Sequence, residues 1–179
     1  GVALLFEVVG RGTLWLSQRT TGDLVDLVGP LGNGFSIQPG ARSLLLVGGG
    51  IGIAPLAFLA LEASRLGKRV TMLHGAQVAT LLYPRDDVPE CSVVVGSTDD
   101  GSSGIKGLVT SLIDEHVGQA DQVFACGPAA MYRTMAKLEC LNRKCVQISL
   151  EERMACGVGA CYGCTVRTRK GLKQVCRDG

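Results

Sequence analysis

The sequence of 179 residues predicts an α/β protein centred on a parallel sheet, and three observations carry that expectation. "RSLLLVGG", from Arg42, is apolar throughout, as a strand covered on both faces must be. From there to residue 150 such runs alternate with helical stretches, the rhythm of strands joined by crossover helices. Glycine-rich or polar turns follow three of the strands, at the edge where open α/β sheets collect their ligands.

Taken in order, "VALLFEVV" reads as a strand, "GRGT" as a turn and "LWLSQR" as a short helical or irregular segment. "GDLVDLVGPLGNGF" reads as a further strand with a glycine-rich loop, so these residues are expected to be the tail of a small barrel or sheet. After "RSLLLVGG" comes the helix "APLAFLALEASRLG", closed by Gly67, with Pro55 in its first turn, where a missing N–H is no loss. The strand "RVTMLHGA", the strand "CSVVVGST", the helix "LVTSLIDEHV", the strand "QVFACGP", the helix "AAMYRTMAKLECLNRK" and the strand "CVQISL" continue the alternation. Seams are expected near Pro39 and Leu150, which divides the chain into 1–39, 40–150 and 151–179. The chain opens without a Met inside a strand-like run and stops at "CRDG", where a turn has begun, so it reads as a fragment.

With 18 Lys and Arg against 16 Asp and Glu, no field points to nucleic acid or to a membrane surface. No apolar run approaches the roughly 18 to 20 residues that span a bilayer, and "GVALLFEVVGRGT" lacks a signal peptide's basic start. The expectation is a cytoplasmic protein with no membrane and no nucleic-acid partner. In that reducing compartment a cluster among the eight cysteines is more often a metal site than a set of disulfides. Cys91, Cys140 and Cys145 read as small buried hydrophobes.

"LLLVGGGIGIAPL" runs from a buried strand through Gly48, Gly49, Gly50 and Gly52 into a helix. Such a turn lets a ligand approach the main chain and offers a pyrophosphate the free N–H groups of a helix start. The spacing is not G-x-G-x-x-G, and a glycine-rich turn without a ligand is the competing reading. Two more loops fall on the same edge: "GSTDDGSSG", with Thr98, Asp99 and Asp100, and "ACGP", with Cys126, Gly127 and Pro128. Each alone could be a plain loop.

Cys156, Cys161, Cys164 and Cys176 stand at C-x4-C-x2-C-x11-C, the plant-type 2Fe-2S spacing with an outlying fourth ligand. The small residues and glycines between them suit a loop that wraps a cluster and turns N–H groups toward sulfur. "TVRTRKGLKQV" alternates about a turn at Lys170 and Gly171, and a two-residue hairpin there would set Thr165 opposite Cys176. Structural zinc would also take four thiolates, although zinc ribbons usually show two C-x2-C pairs and here there is one. Disulfides or free thiols are the third reading.

"GGGIGIAPL", "STDDGSSG", "ACGP" and "CGVGACYGC" together resemble the electron-transfer subunits of NAD-dependent dihydroorotate dehydrogenase, in the ferredoxin-NADP reductase superfamily. The resemblance spans the chain and implies the end of an FAD-binding β-barrel, a parallel-sheet NAD-binding domain and a C-terminal 2Fe-2S segment with a β-hairpin. It implies that Leu5, Phe6 and Glu7 line the flavin, that Gly12 and Thr13 meet the FAD phosphates, and that Gly48 to Gly52 form the NAD pyrophosphate loop. Cys126, Gly127 and Pro128 would face the nicotinamide, and the four clustered cysteines would hold the iron. The R-x-[YF]-[ST] flavin motif of the barrel is absent and would lie upstream of Gly1. The implied function is a relay in pyrimidine biosynthesis: a partner catalytic subunit reduces its FMN with dihydroorotate, and electrons cross the 2Fe-2S cluster and FAD to NAD. Ser97, Thr98, Asp99 and Asp100 stand where NADP-binding members offer Ser and Arg, so NAD is expected over NADP; a mere turn cap is the rival reading. The alternatives are a reductase subunit of a hydrogenase or ferredoxin-NADP transhydrogenase complex, and a zinc-binding regulatory module.

Overall fold

In the computed structural model, which describes residues 2–89 and 92–178, the regular elements follow in chain order. They are α1 (Arg11–Ser17), β1 (Ser43–Gly49), α2 (Ile53–Arg65), β2 (Arg69–Ala76), β3 (Ser92–Thr98), β4 (Ile105–Lys106), α3 (Ile113–Val117), β5 (Gln122–Gly127), α4 (Ala129–Met135), β6 (Cys145–Leu150), β7 (Thr165–Thr168), β8 (Gly171–Gln174) and α5 (Val175–Asp178). The chain divides into two units, Gly1–Asn33 with Met154–Gly179, and Gly34–Arg153.

The middle unit is a six-stranded sheet in the order β4-β3-β2-β1-β5-β6, and every pairing is parallel. Because side chains alternate along a strand, β1 feeds two cores. Leu44 and Leu46 pack with Leu56, Leu59, Ala60 and Ala63 of α2 on one face. Leu45 and Val47 pack on the other with Ile113 and Val117 of α3 and Met131 and Met135 of α4. This two-sided burial is why "SLLLV" carries no polar residue after its serine. α2 ends as its sequence implies: Gly67 takes φ +66°, its N–H reaches Ser64 O (2.9 Å), and the N–H of Lys68 reaches Ala63 O (2.9 Å). The fully buried Gln122 at the foot of β5 is satisfied on both sides, accepting from Gln38 N (2.9 Å) and donating to Ser36 O (2.9 Å).

Several expectations change. Between Val2 and Arg42 the only regular element is α1, so neither "VALLFEVV" nor "GDLVDLV" forms a strand. An apolar pattern makes a strand only when a neighbour completes its ladder, and none does so among the described residues; Val2, Leu4, Val8, Val9, Leu24 and Val28 stand exposed. The helix expected over "LVTSLIDEHV" starts as a 3₁₀ turn, Val109–Leu112, before α3. The long helix expected from Ala129 stops at Met135, and a separate 3₁₀ turn, Glu139–Leu141, carries the buried Leu141 into the same core. Cys140 and Cys145 are half-buried rather than buried, and Cys91 lies outside the described residues.

The other unit holds α1, the β7–β8 hairpin and α5. The hairpin exists, but its register differs by one step from that expected. Thr168 pairs with Gly171 and Thr165 with Gln174, so the turn is Arg169 and Lys170, and Cys176 lies in α5. Thr168 draws the turn forward: its hydroxyl accepts from Lys170 N (3.1 Å) and donates to Gly171 O (2.8 Å). Gly171 closes the turn at φ +97°. Asn33 Nδ2 donates to Arg177 O (3.0 Å), which ties the first segment of this unit to the last.

Candidate cofactor sites

Strand order decides where a ligand can enter the sheet. From β1 the chain moves outward through β2, β3 and β4, then returns to the opposite side of β1 with β5. Helices therefore diverge to opposite faces between β1 and β5, and the crevice lies at their carboxyl ends. Register places Gly48 level with His74 on one side and with Cys126 on the other, with Ser149 beyond Cys126. The structure thus brings Gly48, Gly49, Gly50 and Gly52 together with Cys126, Gly127 and Pro128.

The two loops touch through their main chains. A Cβ on Gly52 would lie 2.2 Å from Cys126 O and 2.7 Å from Gly127 N, so no side chain fits there. Gly50 is the opposite case: it takes φ +54°, is exposed, and has nothing within 4 Å of an added Cβ. One glycine packs the loops; the other leaves open main chain that a phosphate could approach.

Two residues that the sequence reading passed over hold these loops. The imidazole of the buried His74 accepts the N–H of Tyr83 at Nδ1 (3.3 Å), which leaves Nε2–H to donate to Gly50 O (3.2 Å). Burial holds His74 below the ordinary imidazole value. Tyr132, on α4, accepts the N–H of Gly127 (2.8 Å) and donates to Ser149 O. A lone imidazole inside the apolar run "VTMLHGA" was the signal available for the first; nothing in the sequence marked the second. Cys126 is buried, and that burial pushes its thiol above the ordinary value, so it stands as a neutral thiol.

Thr98, Asp99 and Asp100 lie on the same edge two strands from β1, roughly 10 Å by strand spacing. Thr98 is fully buried and bonds reciprocally with Ser103, donating to its O (2.8 Å) and accepting from its N (3.1 Å). Asp100 accepts from Ser102 N (2.9 Å) and Ser102 Oγ (2.7 Å), which caps the turn and holds its carboxyl below the usual range. Of the two carboxylates in this loop, that of the exposed Asp99 has no partner among the described residues.

In the other unit Leu5 and Glu7 are exposed and Phe6 is half-buried. Thr13 turns its hydroxyl inward, accepting from Val9 N (3.0 Å) and Gly10 N (3.1 Å) at the start of α1, and Gly12 is exposed beside it.

The four cysteines of this unit form two pairs. Cys156 and Cys161 share a side-chain contact, as do Cys164 and Cys176; the first pair is half-buried to exposed and the second is buried. Main-chain donors surround the sulfurs. Cys156 Sγ accepts from Ala160 N (3.3 Å) and Cys161 N (3.4 Å), Cys161 Sγ from Gly163 N (3.4 Å), and Cys164 Sγ from Cys176 N (3.5 Å). Gly157 (φ +69°), Gly159 (φ +79°) and Tyr162 (φ +59°) make the reversals that aim these groups, and for the tyrosine that conformation costs about 1–2 kcal/mol. The N–H groups of Cys161 and Val158 lower the Cys156 thiol to about 6, and Cys176 N lowers that of Cys164. Cys176 is pushed up by the Cys164 sulfur beside it. A loop that steadies thiolates before any metal is considered has the donor set and charge for iron-sulfur ligation. Among the described residues no three His, Cys, Asp or Glu converge as one ion would need. Two pairs suit a group with two irons.

The comparisons with known proteins point the same way. The iron-sulfur cluster binding domain of dihydroorotate dehydrogenase B, as a family, matches residues 151–179. The electron transfer subunit of dihydroorotate dehydrogenase B (NAD(+)) from Caldanaerobacter subterraneus subsp. tengcongensis is 43% identical over 99% of this chain and 72% of its own length. That from Bacillus caldolyticus is 39% identical over 98% of this chain and 70% of its own length. An NADH-dependent reduced ferredoxin-NADP oxidoreductase has a solved structure that superposes with TM-score 0.82 at 33% identity, over 97% of this chain and 64% of that chain. A ferredoxin reductase of carbazole 1,9a-dioxygenase, at TM-score 0.62 and 22% identity, shares the fold.

The loop contact yields one expected outcome. Gly52→Ala should lose about 2–4 kcal/mol, since backbone must move to admit the methyl, whereas Gly50→Ala should lose about 1 kcal/mol for its left-handed φ. Urea midpoints that coincide would show that the loops do not rest on each other.

His74 yields a second. An imidazole held below its ordinary value stays neutral in the fold while the unfolded chain takes up the proton, so the contribution of His74 to stability should fall from about pH 7 toward pH 5 and be constant above that. Asp100 and Asp121, whose carboxyls are held low by Ser102 and by the N–H groups of Arg42 and Ser43, should act only below about pH 4. In urea titrations across pH, His74→Asn should flatten the first decline and leave the second; an unchanged profile would exclude His74.

Proposed function

The chain belongs to the family of dihydroorotate dehydrogenase B electron-transfer subunits, and on that footing we propose that it carries electrons from an FMN-containing catalytic subunit to NAD. The relatives' name implies a catalytic subunit of dihydroorotate dehydrogenase as a partner, which fits a place in pyrimidine biosynthesis. When bound, the 2Fe-2S cluster would carry single electrons, FAD would collect two of them one at a time, and NAD would take the pair up as a hydride. What this chain's residues contribute is placement and charge.

Cys156, Cys161, Cys164 and Cys176 hold the cluster as two pairs, and their N–H donors stabilise the negative charge on sulfur. That pairing, within the segment that matches an iron-sulfur domain, is the observation that carries the reading. Gly48, Gly49, Gly50 and Gly52 admit the pyrophosphate of NAD, with Gly50 as the open point. Cys126, Gly127 and Pro128 face the nicotinamide, where a neutral thiol adds no charge beside the transferring hydride. Leu5, Phe6, Glu7, Gly12 and Thr13 take part in the flavin site. Thr98 and Asp100 shape the loop that presents Asp99 to the adenosine ribose. The segments 1–39, 40–150 and 151–179, as the sequence divides them, serve flavin, nicotinamide and cluster. The protein works in the cytoplasm, where thiols remain available to iron. Among the described residues no helix is long and apolar enough to cross a membrane.

The rival, a subunit of a ferredoxin-NADP oxidoreductase complex, has a 33% identical neighbour behind it; identities of 37–43% favour the dihydroorotate dehydrogenase family.

Two measurements test this. Cys161→Ser should sharply lower bound iron and acid-labile sulfide after reconstitution, while Cys145→Ser should leave both unchanged. Full iron and sulfide in Cys161→Ser would refute the ligand set. The unmodified protein should favour NAD over NADP in kcat/KM, and Asp99→Arg should lower that ratio more than Asp100→Arg, whose carboxylate is engaged in its turn. Equal use of both nucleotides by the parent would remove the role of Asp99.

A further inference from the structure

Three buried side-chain atoms have no hydrogen-bond partner among the described residues: Ser92 Oγ, Ser97 Oγ and Gln174 Nε2. The two hydroxyls lie on β3, in the sheet. The amide lies at the end of β8, two residues before Cys176, and Gln174 as a whole is only 7% exposed. A buried N–H without an acceptor is costly, because folding took its water away. Gln122 shows the usual outcome, with both ends of its amide bonded. Gln174 is also fixed in place: it pairs with Thr165 across the hairpin, and its backbone N–H donates to Asp178 Oδ2 (2.8 Å).

The surroundings of the amide point to its acceptor. A Cβ added to Gly159 would lie 3.0 Å from Gln174 Oε1, so the head of this side chain rests against the main chain between Cys156 and Cys161. The N–H of the same Gly159 reaches the sulfur of Cys176, and Cys156 is near enough to raise the Cys176 thiol by its charge. Cys164 Sγ in turn accepts from Cys176 N (3.5 Å). The amide therefore stands where the Cys156–Cys161 pair meets the Cys164–Cys176 pair. None of the four cysteine sulfurs accepts from it.

We propose that Gln174 tunes the reduction potential of the 2Fe-2S cluster, its Nε2–H donating to a sulfide that bridges the two irons. This rests on the cluster reading above. A bridging sulfide is the acceptor that the cysteines do not supply and that the group they hold brings with it. Reduction adds negative charge to the sulfurs, so a donor placed there stabilises the reduced form more than the oxidised form and raises the potential. Burial strengthens the effect, since little water competes for the bond. Main-chain N–H groups serve the cysteine sulfurs, and this side chain serves the core of the cluster.

The test compares the reconstituted protein with Gln174→Met, which keeps the length without the donor, and Gln174→Leu, which changes the shape as well. Iron and acid-labile sulfide are measured first, then the midpoint of the cluster by redox titration followed by EPR. Both variants should hold iron and sulfide at the parent's level. Both should shift the one-electron reduction equilibrium about tenfold toward the oxidised form, a midpoint lower by about 59 mV. A shift common to two different shapes belongs to the lost donor. An unchanged or raised midpoint in the fully loaded variants would overturn the role of Gln174 while leaving the cluster reading intact. Loss of iron in both would make the amide a structural part of the loop and overturn that role too. A parent that takes up no iron and sulfide would instead overturn the cluster reading, and the role of Gln174 with it.

Discussion

Main chain resting on main chain at Gly52 and Cys126 is the constraint from which the central unit is built. A parallel sheet must spend long connections between neighbouring strands, and this chain spends them in opposite directions from β1, so the loops after β1 and β5 meet. They can meet only where no side chain intervenes. Once they do, His74 and Tyr132 follow as fixtures: each ties one of these loops to a strand beside it, through the carbonyl of Gly50 and the N–H of Gly127. The crevice is a product of how the strands are ordered and needs no loop of unusual length.

Sequence patterns reported the features that are local in sequence. The burial of β1 on both faces showed in its unbroken apolar run, α2 showed its end in Gly67, and the cysteine spacing implied a hairpin whose presence the structure shares. Features set by distant partners did not show. "VALLFEVV" has the composition of a strand, but pairing belongs to two segments, and no neighbour among the described residues supplies the second. The hairpin register turned on one hydroxyl, that of Thr168, which moves the turn by a residue.

The polar loop after β3 teaches a related lesson about side chains that look functional. Thr98, Asp99 and Asp100 all offer oxygen to a ligand on paper, and geometry separates them: Thr98 is buried against Ser103, Asp100 caps its own turn, and Asp99 is left over. Hydroxyls and carboxylates favour turns for the reason they favour ligands, a readiness to bond nearby N–H groups. The glycines divide in the same way. Gly52 is required by packing and Gly50 by conformation, and a count of glycines cannot tell one need from the other.

The hairpin has one further property. Its strands are four residues each, exposed for the most part, and they leave the fold at Cys164 and return at Cys176. A two-stranded ribbon of this kind has little stability of its own in water. An iron bridging the two sulfurs would close its open end and remove most of the chain entropy that favours fraying, as a disulfide would in an oxidising compartment. Metal loss and local melting then become a single event.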